Sequence, residues 1–236
     1  IYWGDDSYST ITAYNDSNRT HSYSNAGTYT IKITGAFPAW SFYNAGDKDK
    51  VTAVDFGNGF PFEYLANGFY GCSNLATVAG RISNSISSGI ISFQSLFQGC
   101  SALTSIPTGL FDNNPLVTTF AGCFAGCVSL TSIPTGLFDN NPLVTTFYRC
   151  FDNCQSLTAI PSGLFDNNIN VTSFVNCFWL CLGLSGLSGE LWLNPSGASN
   201  YTLTSPDYDS GIPDGNGCFE NCSGLSDYAS IPTYWK

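Results

Sequence analysis

The sequence predicts a repeat solenoid with short strands and short helical turns, preceded by a small all-β region. The main observation is a 27-residue unit that returns without a change of length. The 18 residues from Leu103 to Phe120 recur unchanged from Leu130 to Phe147, and 13 of them recur from Leu157 to Phe174. A unit of this length cannot bury its apolar side alone, so neighbouring units must stack on one another.

Within each unit, the apolar residues that recur at the period predict ladders in the interior of the stack. A Leu-Thr-Ser-Ile segment at 103–106 predicts a short strand that Pro107 ends. Asp-Asn-Asn-Pro at 112–115 predicts a turn. The cysteines of each Cys-Phe-x-x-Cys stretch are four residues apart, which predicts one face of a short helical turn. The recurring residues are Phe97, Phe124, Phe151 and Phe178, then Cys100, Cys127, Cys154 and Cys181, then Leu103, Leu130, Leu157 and Leu184.

The repeat extends beyond its three best copies and predicts two domains. Cys72 lies 28 residues before Cys100, and Cys218 lies 41 residues after Cys177, which is one period plus 14 residues. We therefore predict an inserted, protruding loop at about 184–217, rich in Gly, Ser, Pro and Asn, within a solenoid at 51–236. Residues 8–14 and 27–35 alternate apolar and polar side chains, which predicts strands in a β region at 1–50.

Composition restricts the function. Charged residues make up only 10%, and the net charge is −10. Nucleic acid binding needs clustered Lys and Arg, so nucleic acid is a poor partner, as is an anionic membrane. No apolar stretch approaches 20 residues, so we predict no membrane insertion. Methionine is absent even at position 1, which predicts that the chain is not a complete translation product.

The pattern Phe-x-x-Cys-x-x-Leu-x-x-Ile-Pro, over about residues 56–235, resembles the BspA-like class of bacterial leucine-rich repeats. The units here are longer, and Cys123, Cys150 and Cys177 stand where the family usually has a small residue before the phenylalanine. Trp3-Gly-Asp5, His21-Ser-Tyr23 and the segment 27–33 resemble the second half of a PKD-type β-sandwich, with Asp6 in place of the usual glycine. Both resemblances imply extracellular or surface-exposed bacterial binding proteins, and related arrangements occur in phage structural proteins.

The spacing of the ten cysteines and the presence of only one histidine argue against a metal site and against catalysis. Zinc sites pair Cys-x-x-Cys or add histidines, and the cysteines here hold positions that apolar residues fill in other coils, as Leu96 does for Cys123. We predict buried free thiols, with disulfides between neighbouring coils as the alternative. Stacked Asp112, Asp139 and Asp166 predict turn carboxylates rather than a calcium ladder. The sequence predicts no metal site, no cofactor and no enzyme activity.

Candidate binding residues lie where the repeats differ. Tyr148-Arg149 and Trp179-Leu180 replace Ala121-Gly122 and Ala125-Gly126 of the first copy, and Tyr, Arg and Trp are frequent at binding hot spots. The insertion adds Trp192, Tyr201 and Tyr208 among polar residues, a composition typical of binding loops. A flat polar row at 104–105, 131–132 and 158–159 is an alternative surface.

The predicted function is a non-enzymatic adhesion module of a bacterial surface protein or a phage-exposed protein. Its predicted partner is a protein or glycan on a host cell, and its predicted location is extracellular, on a cell surface or on a virion surface. The alternative is a structural subunit of a virion, fibre or surface layer that assembles with copies of itself. Drift at unconstrained positions would produce the same variation without any binding role.

Overall fold

The structure is a computed structural model and describes residues 1–13, 16–35, 39–57, 61–84, 89–188 and 215–236. The chain forms two compact units, Ile1–Phe37 and Pro38–Lys236. The sequence predicts the boundary at residue 50, whereas residues 39–50 belong to the second unit. The amide of Phe42 donates to the carbonyl of Gly68 at 3.0 Å, and that of Asn44 donates to the carbonyl of Tyr70 at 3.1 Å.

The first unit contains fewer paired residues than its alternating pattern predicts. The predicted strands at 8–14 and 27–35 are wrong for the described residues, since pairing is limited to antiparallel bridges that join Tyr2 to Tyr8 and Tyr2 to Lys32. A 3-10 helix spans Ser17–Arg19. Nearly all of 27–35 is exposed, so a sheet here has little apolar face to bury, and isolated pairings are marginally stable in water.

The second unit begins with two short parallel pairs. Strand β1, Ala53–Asp55, pairs with β3, Thr77–Ala79, and β2, Pro61–Phe62, pairs with β4, Ser83–Asn84. Three further 3-10 helices span Lys48–Lys50, Tyr228–Ser230 and Thr233–Trp235.

Successive repeats are joined by parallel bridges at one position per repeat. The bridges connect Ser92 to Thr119, Thr119 to Thr146, and Thr146 to Ser173. The predicted strand at 103–106 is wrong: that segment makes one backbone hydrogen bond to each neighbouring repeat, such as Thr131 N–H to Thr104 C=O at 3.2 Å, and is not a strand. The continuous pairing lies instead in the Val-Thr-Thr-Phe return, where Thr145 N–H donates to Thr118 C=O and Phe120 N–H to Thr146 C=O. The second unit therefore has a repeat fold.

The Cys-Phe-x-x-Cys stretches are turns, and the predicted short helices are wrong, since no residue of 89–188 is helical. Backbone N–H groups in this stretch alternate between two directions. Those of Cys123, Ala125 and Cys127 donate to carbonyls three residues back, at 3.0 to 3.1 Å. Those of Gly122, Phe124 and Gly126 donate to Tyr148, Cys150 and Asp152 of the next repeat, at 2.7 to 2.9 Å. An α-helix directs every interior N–H to its own chain, so this alternation excludes it.

The core consists of aligned aromatic and aliphatic ladders. Phe69, Phe97, Phe124, Phe151, Phe178 and Phe219 stack face to face with ring centroids 5.4 to 5.8 Å apart. A second ladder joins Phe93, Phe120, Phe147 and Phe174 at 5.6 to 5.8 Å. At the C-terminal end, Trp235 caps the first ladder: it is fully buried, with its ring centroid 6.4 Å from that of Phe219.

The register resumes after the insertion at the offset that the cysteines predict. Phe178 N–H donates to Cys218 C=O at 2.9 Å, although 40 residues separate them in the chain. Residues 184–188 also belong to the repeat, because Ser185 N–H donates to Thr158 C=O and the Ser188 hydroxyl donates to Asp227 at 2.6 Å. The predicted loop therefore starts later than residue 184.

Buried asparagines join the turns of neighbouring repeats. Asn114, Asn141 and Asn168 are nearly inaccessible to solvent. The Asn141 side-chain amide donates to the carbonyls of Phe111, at 3.2 Å, and Asn114, at 2.9 Å. Asn168 repeats the arrangement one unit later, donating to the carbonyls of Phe138 and Asn141. The invariant Asn of the turn is thus an inter-repeat hydrogen-bond donor.

Candidate functional site

The variable residues of the repeat lie at two backbone positions with left-handed φ. The first position holds Ser95, Gly122, Arg149 and Asn176, with φ of 54°, 63°, 55° and 55°. The second holds Gly99, Gly126, Asn153 and Leu180, with φ of 73°, 75°, 60° and 56°. Gly and Asn tolerate this conformation, whereas larger side chains are strained in it. Arg149 and Leu180 are therefore unusual occupants of these two positions.

Three of the predicted binding residues form one cluster. The guanidinium carbon of Arg149 lies 5.9 Å from the ring centroid of Tyr148 and 5.7 Å from that of Trp179. A cation over aromatic faces within about 6 Å is attracted by the negative charge on those faces. Tyr148 is 43% exposed, and Trp179 and Arg149 are half-buried. We call Tyr148, Arg149 and Trp179 the aromatic–arginine cluster.

Asp152 lies under this cluster, and the sequence analysis missed it. Its Oδ2 is 2.8 Å from Nε of Arg149, although Nε does not have hydrogen-bond geometry. Asp152 is buried at the position that Ala125 occupies one repeat earlier. Burial raises the pKa of the Asp152 carboxyl, and Arg149 partly opposes that rise. An Asp three residues after Arg149, at a position that holds Ala125 and Trp179 in the neighbouring repeats, is the sequence signal for this ion pair.

The remaining predicted binding residues do not join this cluster in the described structure. Leu180 is half-buried one repeat beyond Asn153, and its N–H donates to Glu220 C=O at 3.0 Å. Trp192, Tyr201 and Tyr208 lie outside the described residues, as does the predicted protruding part of the insertion. Their role in binding stays a prediction.

The alternative polar surface is exposed, and its threonine hydroxyls bond along the row. Thr131 and Thr158 each donate a side-chain hydrogen bond to the carbonyl of the preceding repeat's equivalent residue, at 3.2 and 3.3 Å. Ser185 extends the row in the same way at 3.3 Å. Because these donors are already engaged within the protein, the row offers a ligand fewer free groups than its composition suggests.

The ten cysteines are free and buried. Five thiols donate to the carbonyl of a phenylalanine in a neighbouring repeat, as Cys127 does to Phe97 at 3.3 Å. Burial raises the pKa of Cys72 to about 11 and that of Cys222 to about 12. A thiol with a raised pKa is a poor nucleophile and a poor metal ligand, so these side chains act as core residues.

In the first unit, the structure brings together three residues that the sequence analysis left apart. His21 Nε2 lies 2.7 Å from Asp5 Oδ2 and 3.5 Å from the Ser7 hydroxyl. In a Ser-His-Asp triad the aspartate and the serine face opposite ring nitrogens. Here both face the same nitrogen, and Ser7 donates to Asp5 at 2.6 Å. The arrangement lacks the geometry of a proton relay, and the His21 ring stacks on Trp3 with centroids 5.0 Å apart.

Neither a metal site nor a membrane-spanning helix is present in the part of the chain that the structure describes. These residues contain no group of three or more His, Cys, Asp or Glu side chains arranged to hold a metal. Asp112 instead pairs with Arg81 at 3.2 Å and accepts from the Asn140 amide at 3.1 Å. Among the same residues there is no helix with the length and apolarity that a membrane span requires.

No protein-family model matches the chain, and no curated protein matches its sequence. The chain is similar to three solved bacterial structures. For a leucine-rich-repeat protein of T. pallidum, identity is 22% and the TM-score is 0.32, over 59% of this chain and 70% of that one. For a leucine-rich-repeat protein of Bacteroides ovatus ATCC 8483, identity is 22% and the TM-score is 0.23, over 53% of this chain and 31% of that one. For a leucine-rich cell surface protein of Faecalibacterium prausnitzii A2-165, identity is 16% and the TM-score is 0.20, over 70% of this chain and 63% of that one. With TM-scores this low, the similarities carry no argument about function.

Proposed function

We propose that this chain is a non-enzymatic recognition module, exposed on a bacterial cell or on a phage, that binds a protein or glycan of a host surface. The observation that carries the proposal is the aromatic–arginine cluster, which holds a cation and two partly exposed rings on a repeat surface that has few charged residues. Tyr, Trp and Arg are the residue types that dominate binding energy at interfaces.

The frame beneath the cluster supports this function. The phenylalanine ladder and the inter-repeat hydrogen bonds hold the turn backbone in one conformation, so the cluster is presented with little loss of entropy on binding. We infer that the repeats form a leucine-rich-repeat solenoid of BspA-like type and that the first unit is PKD-like. The 27-residue period and the parallel bridges support the first inference, and the Trp3, His21 and Tyr23 contacts support the second.

The extracellular location is also proposed. Support comes from a surface built on Asn, Ser, Thr and Gly with only 10% charged residues. The non-enzymatic character is supported by the His21 geometry in the first unit and by the raised pKa values of the buried thiols.

A binding assay with matched variants tests the proposal. The labelled chain is screened against a glycan array and a panel of extracellular host proteins, and each hit is titrated. Changing Tyr148→Ala and Trp179→Ala together should weaken binding by roughly tenfold or more, since buried aromatic anchors carry most interface energy. Tyr64→Ala is the control, because Tyr64 is 51% exposed in an earlier coil. Equal binding by the double variant and the control would show that the cluster is not the recognition surface.

A self-assembling structural subunit is the second candidate, and a different surface favours it. Large apolar side chains are exposed at neighbouring positions of successive repeats: Ile91 at 59%, Leu116 at 44%, Leu143 at 45% and Ile169 at 72%. Such rows promote association between copies. Sedimentation velocity distinguishes the two functions: ordered polymers that Leu116→Ser with Leu143→Ser dissolves would favour assembly, and a monomer at high concentration would exclude it.

A further inference from the structure

We propose that the aromatic–arginine cluster, supported by Asp152, is a site for a carboxylate-bearing sugar residue of an acidic glycan. This inference rests on the proposed recognition function and names the chemistry of its ligand. Four observations carry it: a lone basic residue, the strained backbone at that residue, a buried carboxylate that contacts it, and two aromatic rings beside it.

Arg149 is the lone basic residue of this part of the chain. It is the only Lys or Arg between Arg81 and Lys236, in a chain with a net charge of −10. Such a chain does not attract anions at long range, so an acidic ligand must be recognised at short range by a particular group. Arg149 is the group available along the repeats.

The backbone does not require an arginine at this position. Gly122 and Asn176 adopt the same left-handed conformation one repeat before and one repeat after, at φ of 63° and 55°. A side chain such as that of Arg149 costs roughly 1 kcal/mol or more in this conformation. Non-glycine residues held in strained conformations concentrate at functional sites. The strain at Arg149 therefore points to a role for its side chain.

Burial of the Asp152 carboxylate adds a second local cost in stability, which its contact with Arg149 partly offsets. Its buried carboxylate replaces the methyl group of Ala125, and a buried ion pair is seldom more stable than the apolar residues it replaces. Asp152 contacts Nε and leaves the two Nη groups of Arg149 without an acceptor among the described residues. Two free Nη groups on a side chain that is 41% exposed match the two oxygens of a carboxylate.

The surroundings favour a sugar over an acidic peptide. The rings of Tyr148 and Trp179 present faces with negative charge density, which attract the polarised C–H groups of a sugar ring. A peptide that binds by adding a strand is disfavoured, because the turn N–H groups are already used, as Arg149 N–H donates to Val175 C=O at 3.0 Å.

The test uses the full chain and three probes: a hexuronate tetrasaccharide with free carboxylates, its methyl ester, and a tetraglutamate peptide. The key variant combines Arg149→Gly with Asp152→Ala and so reproduces Gly122 and Ala125 of the preceding repeat, which keeps the backbone unstrained. Asn176→Gly is the control at the same backbone position. Calorimetric titration should show the free acid binding about tenfold tighter than the ester to the wild type and the control, and equally weakly to the double variant.

Each other outcome overturns the inference. Equal binding of acid and ester, or full discrimination by the double variant, would show that Arg149 does not read a carboxylate. Binding of the peptide without the sugar would assign the site to acidic protein segments, and binding of no probe would remove the acidic sugar as ligand. In these cases the Tyr148 and Trp179 variants still test the recognition function on its own partner, so the two failures are distinguishable.

Discussion

The buried asparagine ladder gives the sharpest prediction about stability, and Asn141→Ala is the perturbation. Asn141 is fully buried and donates two hydrogen bonds to carbonyls of the preceding repeat, at 3.2 and 2.9 Å. Asn140 is adjacent in sequence but exposed, and it donates one hydrogen bond to Asp112 at 3.1 Å. The pair is a matched comparison, with the same residue type and the same turn but opposite burial.

The expected loss follows from the contacts. Each net hydrogen bond contributes about 1 kcal/mol, so two contribute about 2 kcal/mol. The carbonyls of Phe111 and Asn114 also accept from the amides of Asn114 and Val117, so neither carbonyl is left without a donor in the variant. Oδ1 of Asn141 is buried without an acceptor role, and its removal returns part of the loss. We expect Asn141→Ala to lower the free energy of unfolding by about 2 kcal/mol.

Thermal and urea unfolding of both variants measure this difference. A loss of about 2 kcal/mol in a chain of this size lowers Tm by about 4–8 °C. Asn140→Ala should change the free energy of unfolding by less than about 0.5 kcal/mol, because its hydrogen bond is exposed to water. If the two variants are equally stable, the asparagine does not join the repeats as the structure indicates.

Three further predictions concern the core, the buried ion pair and the thiols. Phe124→Ala should cost about 3–5 kcal/mol in urea unfolding, because the ring lies between Phe97 and Phe151 at 5.6 and 5.5 Å; a loss near 1 kcal/mol would contradict the stacked core. The folded-state pKa of Asp152 is raised, so its contribution to stability is present below about pH 4 and is lost as pH rises through the raised pKa. Asp152→Asn should remove this pH-dependent decrease in the free energy of unfolding. Parallel stability–pH curves for the wild type and the variant would contradict the prediction. Alkylation of the native chain at pH 8, followed by mass measurement, should leave the cysteines unmodified until urea exposes all ten, and labelling without denaturant would show that the thiols are not buried.

Particular residues show which parts of the fold and the site were predictable. The period alone identified Phe124 and Cys127 as core positions, because a side chain that recurs at the repeat length must meet its own copy. The alternating N–H directions at 122–127 were not predictable, since the i, i+4 spacing of cysteines fits both a helical turn and a turn bonded to its neighbour. The pairing at Thr119 rather than at 103–106 was missed for a related reason. Both segments have polar and apolar residues in similar proportion, and inter-repeat hydrogen bonds choose between them.

The candidate site was likewise predictable only in part. Sequence variation singled out Tyr148, Arg149 and Trp179, but it did not reveal that Arg149 has a left-handed backbone or that Asp152 is buried against it. The sequence by itself determined the repeat, its ladders and the resumed register at Cys218, because these depend only on periodic spacing. Tertiary structure alone decided which N–H groups cross between repeats and which side chains share the cluster at Arg149. The hydrogen bonds between repeats and the contact of Arg149 with Trp179 join residues a full repeat or more apart, and no local pattern in the sequence records them.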